Sequence, residues 1–405
     1  MNDSIVLGDR NHEAPLADAA INADQADLFV LQQAGQQVHA RGCRARLPAG
    51  ALTTLADRVA DFFSQQRGGP GLLVGAVPFE PRADDALYQP ERLLPALPLR
   101  PQAAPVLQGA LQAEPSAQAY ADAVAQAVLA LRASDDPLQK VVLARSLLAQ
   151  TQQPLAPDAL LARLGADPSV ATYAVPLPVD PAQPPAWLVG ATPELLLRKR
   201  GAQVLSHPLA GSARRSADPA QDQAAAQALL ASRKDHDEHR HVVEAIVAAL
   251  SPWCRQVDAQ PRPVLHATAS MWHLGTRIHA TLDDPSTPAA LLLAALHPTP
   301  AVCGTPQQAA LQRIRALEPV PRGFYAGAVG WLDAQGDGDW YVAIRCARLQ
   351  GRQLRLYAGA GIVAESSPQA EVAETAAKFT ALLNALGVHD PAPLQEILSD
   401  RKSVV

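Results

Sequence analysis

Apolar and polar positions along the chain change period several times, and each change marks an element. From Tyr325 to Gly361 three apolar, β-rich runs are separated by GDGD and QGRQ. Such Gly/Asp turn chemistry joins antiparallel strands, so this stretch predicts a meander. A helix follows, with Ser367 at the N-cap and Pro368 in the first helical position. Helical spacing of Leu55, Val59, Phe62 and Phe63 predicts a helix over 53–66, stopped by Gly68-Gly69-Pro70. The apolar run 71–79 reads as a buried strand, 117–133 as a strong helix, and the run from Lys140 to Leu147 as a strand. A hairpin is expected over 186–213, turning at Gly201, with a kink or bulge at Thr192-Pro193 that re-aims Glu194. Residues 219–250 form the longest helical pattern, 269–282 alternate as a strand, and 287–296 and 306–317 read as helices. The segment 28–47 mixes apolar and polar residues without deciding between strand and helix.

Strands joined by tight turns, with helices between groups of them, predict an α/β body of α+β layering on antiparallel sheets. Gly359-Ala360-Gly361-Ile362 ends a late strand and lacks the third glycine of a dinucleotide fingerprint. With 405 residues, 48% of them hydrophobic and 18% charged, the chain falls among soluble globular proteins. One domain is expected over 26–390, with a disordered tail at 1–25 and a C-terminal tail at 391–405. A net charge of −5 leaves no basic footprint for nucleic acid. No apolar run approaches the ~18 residues that cross a bilayer, and the N-terminus lacks a secretory pattern. The four scattered cysteines (Cys43, Cys254, Cys303, Cys346) suit reduced thiols in the cytoplasm.

The chemistry gathers at a few points. Glycines at 359 and 361 let backbone N–H groups approach a ligand. Glu371, Glu374 and Lys378 stand at i, i+3 and i+7 and share one helix face, and Asp235 and Glu238 share another. Two carboxylates and an ammonium aimed at a glycine-lined strand end suggest a site for a cation and an anionic ligand.

Eight motifs in order carry a resemblance: KVVLAR (140–145), GATPELLL (190–197), HPLAGSARR (207–215), KDHDEH (234–239), WHLGT (272–276), HPTPAVCG (297–304), AIRCA (343–347) and GAGIVAESSP (359–368). Together they resemble the chorismate-utilising enzyme family, and within it the isochorismate synthases of the siderophore type. The resemblance runs from about residue 75 to 378. It implies an anthranilate synthase component I-like fold: two packed, largely antiparallel sheets, outer helices and a central cleft. The implied reaction adds water at C2 of chorismate and expels the C4 hydroxyl, with Mg2+ on the ring carboxylate. By the same resemblance Lys140 is the general base and Glu194 the general acid. Glu238 and Glu374 are the direct magnesium ligands, with Asp235 and Glu371 acting through water. Tyr325, Arg345 and Gly361 hold the enolpyruvyl carboxylate, and Lys378 balances charge near the ring carboxylate. His273 sits near the leaving hydroxyl, Ala301 and Val302 wall the ring, and Gly211 and Ser212 form a substrate-facing turn. Arg214 and Arg215, just beyond, read as a solvated turn.

Single positions discriminate within the family. Ala210 stands where aminodeoxychorismate synthases of a common type carry a nucleophilic Lys, and Lys140 stands where anthranilate synthases typically have Gln. The resemblance therefore implies no glutamine amidotransferase subunit, and a monomer acting alone on chorismate. LAGSARR favours the isochorismate type over salicylate synthases, which tend to read LAGTR. Salicylate synthase remains the alternative enzyme, and a chorismate-binding sensor the non-catalytic one; the presence of both Lys140 and Glu194 argues against the sensor.

Overall fold

The computed structural model describes residues 27–389 apart from 34, 66–67 and 96–102, so the tails expected at 1–25 and 391–405 lie outside the described residues. The chain opens with a hairpin, β1 (Phe29–Gln33) and β2 (Gln36–Arg46), in the stretch that periodicity left undecided. There follow α1 (Leu55–Gln65), β3 (Leu72–Val77), β4 (Ala86–Leu94), β5 (Gln112–Glu114), α2 (Ala117–Arg132), β6 (Lys140–Gln150), α3 (Pro157–Leu164) and β7 (Ala171–Leu177). The expected hairpin at 186–213 is four strands: β8 (Ala186–Thr192), β9 (Leu195–Arg200), β10 (Gln203–His207) and β11 (Leu209–Arg214). Next come α4 (Pro219–Ala231), α5 (Arg233–Leu250), β12 (Cys254–Ala259), β13 (Val264–Ala267), β14 (Met271–Gly275) and β15 (Ile278–Leu282). The chain closes with α6 (Ala289–Leu296), β16 (Gly304–Thr305), α7 (Gln307–Leu317), β17 (Ala328–Asp333), β18 (Gly338–Val342), β19 (Cys346–Gln350), β20 (Gln353–Ile362) and α8 (Pro368–Ala385).

Every strand ladder is antiparallel. One half runs β5–β6–β20–β19–β8–β7, with β16 on the outer edge of β6. The path crosses the β1–β2 hairpin and continues as β4–β3–β17–β18–β9–β10–β15–β12. The two expected sheets are therefore halves of one hydrogen-bonded ribbon. Leu143, Tyr173 and Leu188 of one half share a core with Val329, Trp340 and Val204 of the other, closed by α1, α2, α5, α6 and α7. A second core lies where α3 and α8 cover the first half, with Leu160 and Phe379 against Trp187, Leu349 and Leu356. Because both faces of β6 are covered, it is buried at nine of eleven positions and shows no in–out alternation. Strands β11, β14 and β13 form a separate three-stranded sheet.

Three expected elements are split, each for a local reason. The helix over 219–250 breaks at Ser232, whose extended backbone (ψ 112°) ends α4 while its hydroxyl accepts the Asp235 N–H and caps α5. The strand over 269–282 is two strands in different sheets: β14 pairs with β11, and β15 with β10. The middle run of the meander divides at Arg345, where φ is +51°, an uncommon value for a residue with a side chain. Ahead of it β18 pairs with β17 and β9; beyond it β19 pairs with β20 and β8. Ser367 does occupy the N-cap of α8, but its side chain makes no capping bond.

One edge of β6 is paired with β16 at 140–141 and with β5 at 146–148, which leaves a gap. Side chains fill it. Arg322 donates to the carbonyls of Val142 and Val302, both at 2.7 Å, and Glu318 accepts the Ala144 N–H at 2.8 Å. The two side chains form a buried ion pair, with the guanidinium 4.1 Å from the centroid of Phe79. Removing one member strands the other's charge, so Arg322→Met is expected to lower stability by about 3–5 kcal/mol. Chemical denaturation of Arg322→Met beside the wild type checks this; a loss below about 1 kcal/mol would mean that backbone pairing, not the ion pair, closes the gap.

Candidate active site

Between the two cores lies a cleft of about 690 Å³ free of protein atoms. Its floor follows from strand register. Tyr357, Gly359 and Gly361 point the same way along β20, Lys140 and Val142 along β6, and Gly361 sits opposite Val142. Tyr325 stacks on Tyr357 with centroids 4.8 Å apart and planes 7° from parallel. A Cβ at 361 would fall 2.1 Å from Glu238 Oε1 and 3.1 Å from Lys140 Cε, so both side-chain ends would have to shift. Glycine leaves the room there in which α5 lays the Glu238 carboxylate over the strand.

Of the residues singled out in the sequence, Glu194, Gly211, Ser212, Glu238, His273, Ala301, Val302, Tyr325, Arg345, Gly361, Glu374 and Lys378 line the cleft. Lys140, Asp235 and Glu371 stand behind its wall. Lys140, the first residue of β6, is fully buried, its Nζ 3.0 Å from Glu238 Oε1 but not aligned for a hydrogen bond. Asp235 packs against Gly211, where a Cβ would lie 2.9 Å from the Asp235 Cβ; Gly211 also has φ +79°, which suits glycine alone. Gly211 and Ser212 belong to β11 rather than to a turn, and Ser212 faces His273 across the β11–β14 ladder. Arg214 is exposed as expected, whereas Arg215 is only partly exposed and is held by its neighbours. It donates to Asp222 at 2.9 Å and to the Thr268 carbonyl, with its guanidinium 4.3 Å from the Trp272 ring centroid.

The charges are arranged in pairs. Lys378 Nζ lies 2.7 Å from Glu374 Oε1, which also accepts the Ser212 hydroxyl at 3.1 Å, and it donates to the Gly359 carbonyl at 2.8 Å. Lys234 Nζ lies 2.6 Å from Glu371 Oε1, while Glu371 Oε2 is buried without a hydrogen-bond partner. Burial and the neighbouring Glu374 carboxylate push Glu371 up to about 7. Burial would raise Glu374 too, but Lys378 outweighs it and holds that carboxyl below its ordinary value. Glu194 has no such partner. It follows the break after Thr192, its N–H reaches the Thr192 hydroxyl at 3.2 Å, and burial pushes its carboxyl up to about 8. It is therefore an acid, not a carboxylate, at neutral pH. Arg345 is pulled down to about 10 by burial, against the opposing effect of Tyr325, Glu374 and Glu194, and its Nη2 lies 3.5 Å from His273 Nε2. Burial holds His273 well below its ordinary value, so it is neutral.

A buried guanidinium, an ammonium and a protonated carboxyl around one recess suit an anionic ligand. The family model described as chorismate binding enzyme matches residues 85–387. The chain belongs to the chorismate-binding enzyme family. It is 44% identical over 347 residues to isochorismate synthase DhbC of Bacillus subtilis, covering 83% of this chain and 87% of that protein. The crystal structure of DhbC from Bacillus anthracis superposes with TM-score 0.84 at 38% identity, over 91% of this chain and 98% of the other. Anthranilate synthase component I of Streptococcus pneumoniae shares the fold, with TM-score 0.64 at 21% identity over 92% and 95% of the two chains.

Sequence reasoning missed Tyr357, Val142, Pro193, Ile344 and Ala358, all of which line the cleft. Period two from Gly359 and Gly361 reaches Tyr357, and the same step from Lys140 reaches Val142. Ile344 and Ala358 give no such signal, because the backbone turn at Arg345 places the first and the crossing of β20 the second. Gly361→Ala is expected to fold yet to lose at least tenfold in affinity for an anionic cleft ligand, since Glu238 and Lys140 must both move. Calorimetric titration with chorismate reads this; unchanged affinity would show that the cleft does not depend on their placement.

Proposed function

We propose that the chain is an isochorismate synthase that converts chorismate to isochorismate, adding water at C2 and releasing the C4 hydroxyl. The observation that carries this reading is the buried, protonated Glu194 facing the same cleft as Glu238, with Lys140 behind that carboxylate at 3.0 Å. Glu194 gives its proton to the departing C4 hydroxyl, which then leaves as water. In its neutral amine form Lys140 takes the proton of the water that bonds to C2, reached past the missing side chain of Gly361. The atoms balance, one water entering and one leaving, with the ring double bonds shifted between.

Arg345 offers its planar fork to the enolpyruvyl carboxylate, with Tyr325 and the Gly361 backbone beside it. Lys378 faces the ring carboxylate, His273 the leaving hydroxyl, and Ala301 and Val302 cover the ring. Among the described residues no three His, Cys, Asp or Glu side chains are gathered tightly enough to cage a metal ion alone. Mg2+ does not need such a cage, since it takes one or two carboxylates plus water and substrate oxygens. Glu238 and Glu374 on the cleft wall and the unpartnered Glu371 Oε2 fit it, with Asp235 and Glu371 in outer positions. When bound, Mg2+ would draw negative charge off the ring carboxylate. Among the described residues no helix is long and apolar enough to cross a membrane. We place the enzyme in the cytoplasm, as a monomer without an amidotransferase subunit, supplying siderophore synthesis.

NMR of chorismate incubated with the protein and Mg2+ is expected to show isochorismate alone. Salicylate with pyruvate would replace this reading with the salicylate synthase, and unchanged chorismate with a sensor. Lys140→Ala is expected to abolish turnover while chorismate still binds; normal turnover in that variant would remove Lys140 from the chemistry.

The pH dependence has a definite sign. Glu194 carries its proton below about 8 and loses it above, so kcat/KM is expected to fall as pH rises through that region. A profile flat to pH 10 would exclude Glu194 as the acid.

A further inference from the structure

Beyond Arg345 and His273 the cleft shares a wall with a second, open-sided cavity, about 1360 Å³ free of protein atoms with the solvent at its mouth included, and Pro193 also lines both. Helix α8 runs along the two. Glu374 and Lys378 face the cleft, and one and two turns on, Ala381 and Ala385 face the second cavity. The walls are mainly apolar: Ala162 and Leu164 of α3, Val170, Ala191, Ala381 and Ala385.

Three charged groups line this space. Asp167 is engaged by the Ser169 N–H and hydroxyl and, at 2.7 Å, by the Ala269 N–H. Arg163 donates to the carbonyls of Ala385 and Asn384. Among the described residues Arg345 forms no ion pair; the Glu374 and Glu194 carboxyls act on it from the cleft side, beyond ion-pair distance, and neither lines the second cavity. With His273 neutral, the lining sums to one positive charge, and its uncompensated member sits in the shared wall. Apolar walls around one unmatched guanidinium describe a pocket for a small apolar body carrying one carboxylate.

We propose that the second cavity binds a small aromatic monocarboxylate, its ring against the alanine and valine wall and its carboxylate on Arg345 from the side away from the cleft. Occupancy there withdraws Arg345 from the ligand of the cleft and inhibits turnover. The binding half stands on the cavity alone; the inhibitory half rests on the role given to Arg345 above.

Benzoate is the probe, with benzamide as its uncharged equivalent. Calorimetry on the full chain is expected to show benzoate binding at least tenfold tighter than benzamide. Ala381→Trp and Ala162→Trp fill the cavity from different helices, and each is expected to weaken benzoate at least tenfold. Benzoate should slow chorismate turnover in the wild type and leave it unaffected in both variants. Equal binding of benzamide would remove the role of the charge, and undiminished benzoate binding in both variants would place it in the cleft; either result overturns the proposal. So would loss of chorismate turnover in a folded variant that still binds benzoate, since the cavity would then be a passage for substrate. The titrations are read without catalysis, so their outcome is separate from whether the product is isochorismate.

Discussion

Ionised side chains are costly to remove from water, and this fold removes several into one recess. What makes that tolerable is pairing: Lys140 with Glu238, Lys234 with Glu371, Lys378 with Glu374. Two of the pairs join elements far apart in the chain, and the third stands within α8. The first ties β6 to α5, the second α5 to α8, and the third holds α8 above the end of β20 through the Gly359 carbonyl. Losing one partner would leave a buried charge unmatched, so these contacts fix where the helices sit as well as what the site can bind. Glu194 is the exception that reveals the rule. It lacks a close cation, and burial keeps it protonated instead.

That arrangement dictates details which otherwise look arbitrary. Gly361 exists because Glu238 passes where its Cβ would be, and Gly211 because Asp235 does the same on β11. The break at Ser232 aims α5 afresh, so that Asp235 and Glu238 point at the strand ends rather than continue the line of α4. The left-handed backbone of Arg345 turns its guanidinium into the cleft while letting β18 and β19 join different neighbours. Strain of this kind persists only where the surroundings over-determine it. Here two ladders and the Ala191 N–H to Arg345 carbonyl bond do so.

Most elements with a strong period were legible, among them α1, α2, β6, α6, α7 and α8. Splits were not, because a helix that stops at Ser232 and restarts at Arg233 keeps almost the same apolar spacing. Likewise β14 and β15 read as one alternating run until pairing sends them to different sheets. The acidic helix faces could be read from i, i+3 spacing alone, and Lys140 and Glu194 stood out through the resemblance. What spacing could not convey is depth. Lys140, Asp235 and Glu371 lie behind the wall, a property of how α5 and α8 pack rather than of any local pattern. Arg322 and Glu318 were equally silent, since the gap they fill appears only when β5 and β16 take their places on β6.

The layering also separates what must be rigid from what can vary. Lys140 opens β6 opposite Thr305 of β16, and Glu194 lies between β8 and β9 in the large ribbon, its carbonyl accepting the Val342 N–H. Ser212 and His273 belong to the three-stranded sheet, whose ladders run only among β11, β14 and β13. A change at Ser212 or His273 alters the cleft wall directly, since neither strand is laddered to the ribbon that carries Lys140 and Glu194. Of the positions by which the sequence resembles one branch of the family more than another, Ala210 and the residues after it lie on β11 in that smaller sheet, and Lys140 opens β6 in the ribbon. The two sheets meet in the charged frame, since the Ser212 hydroxyl donates to Glu374 and Gly211 makes room for Asp235.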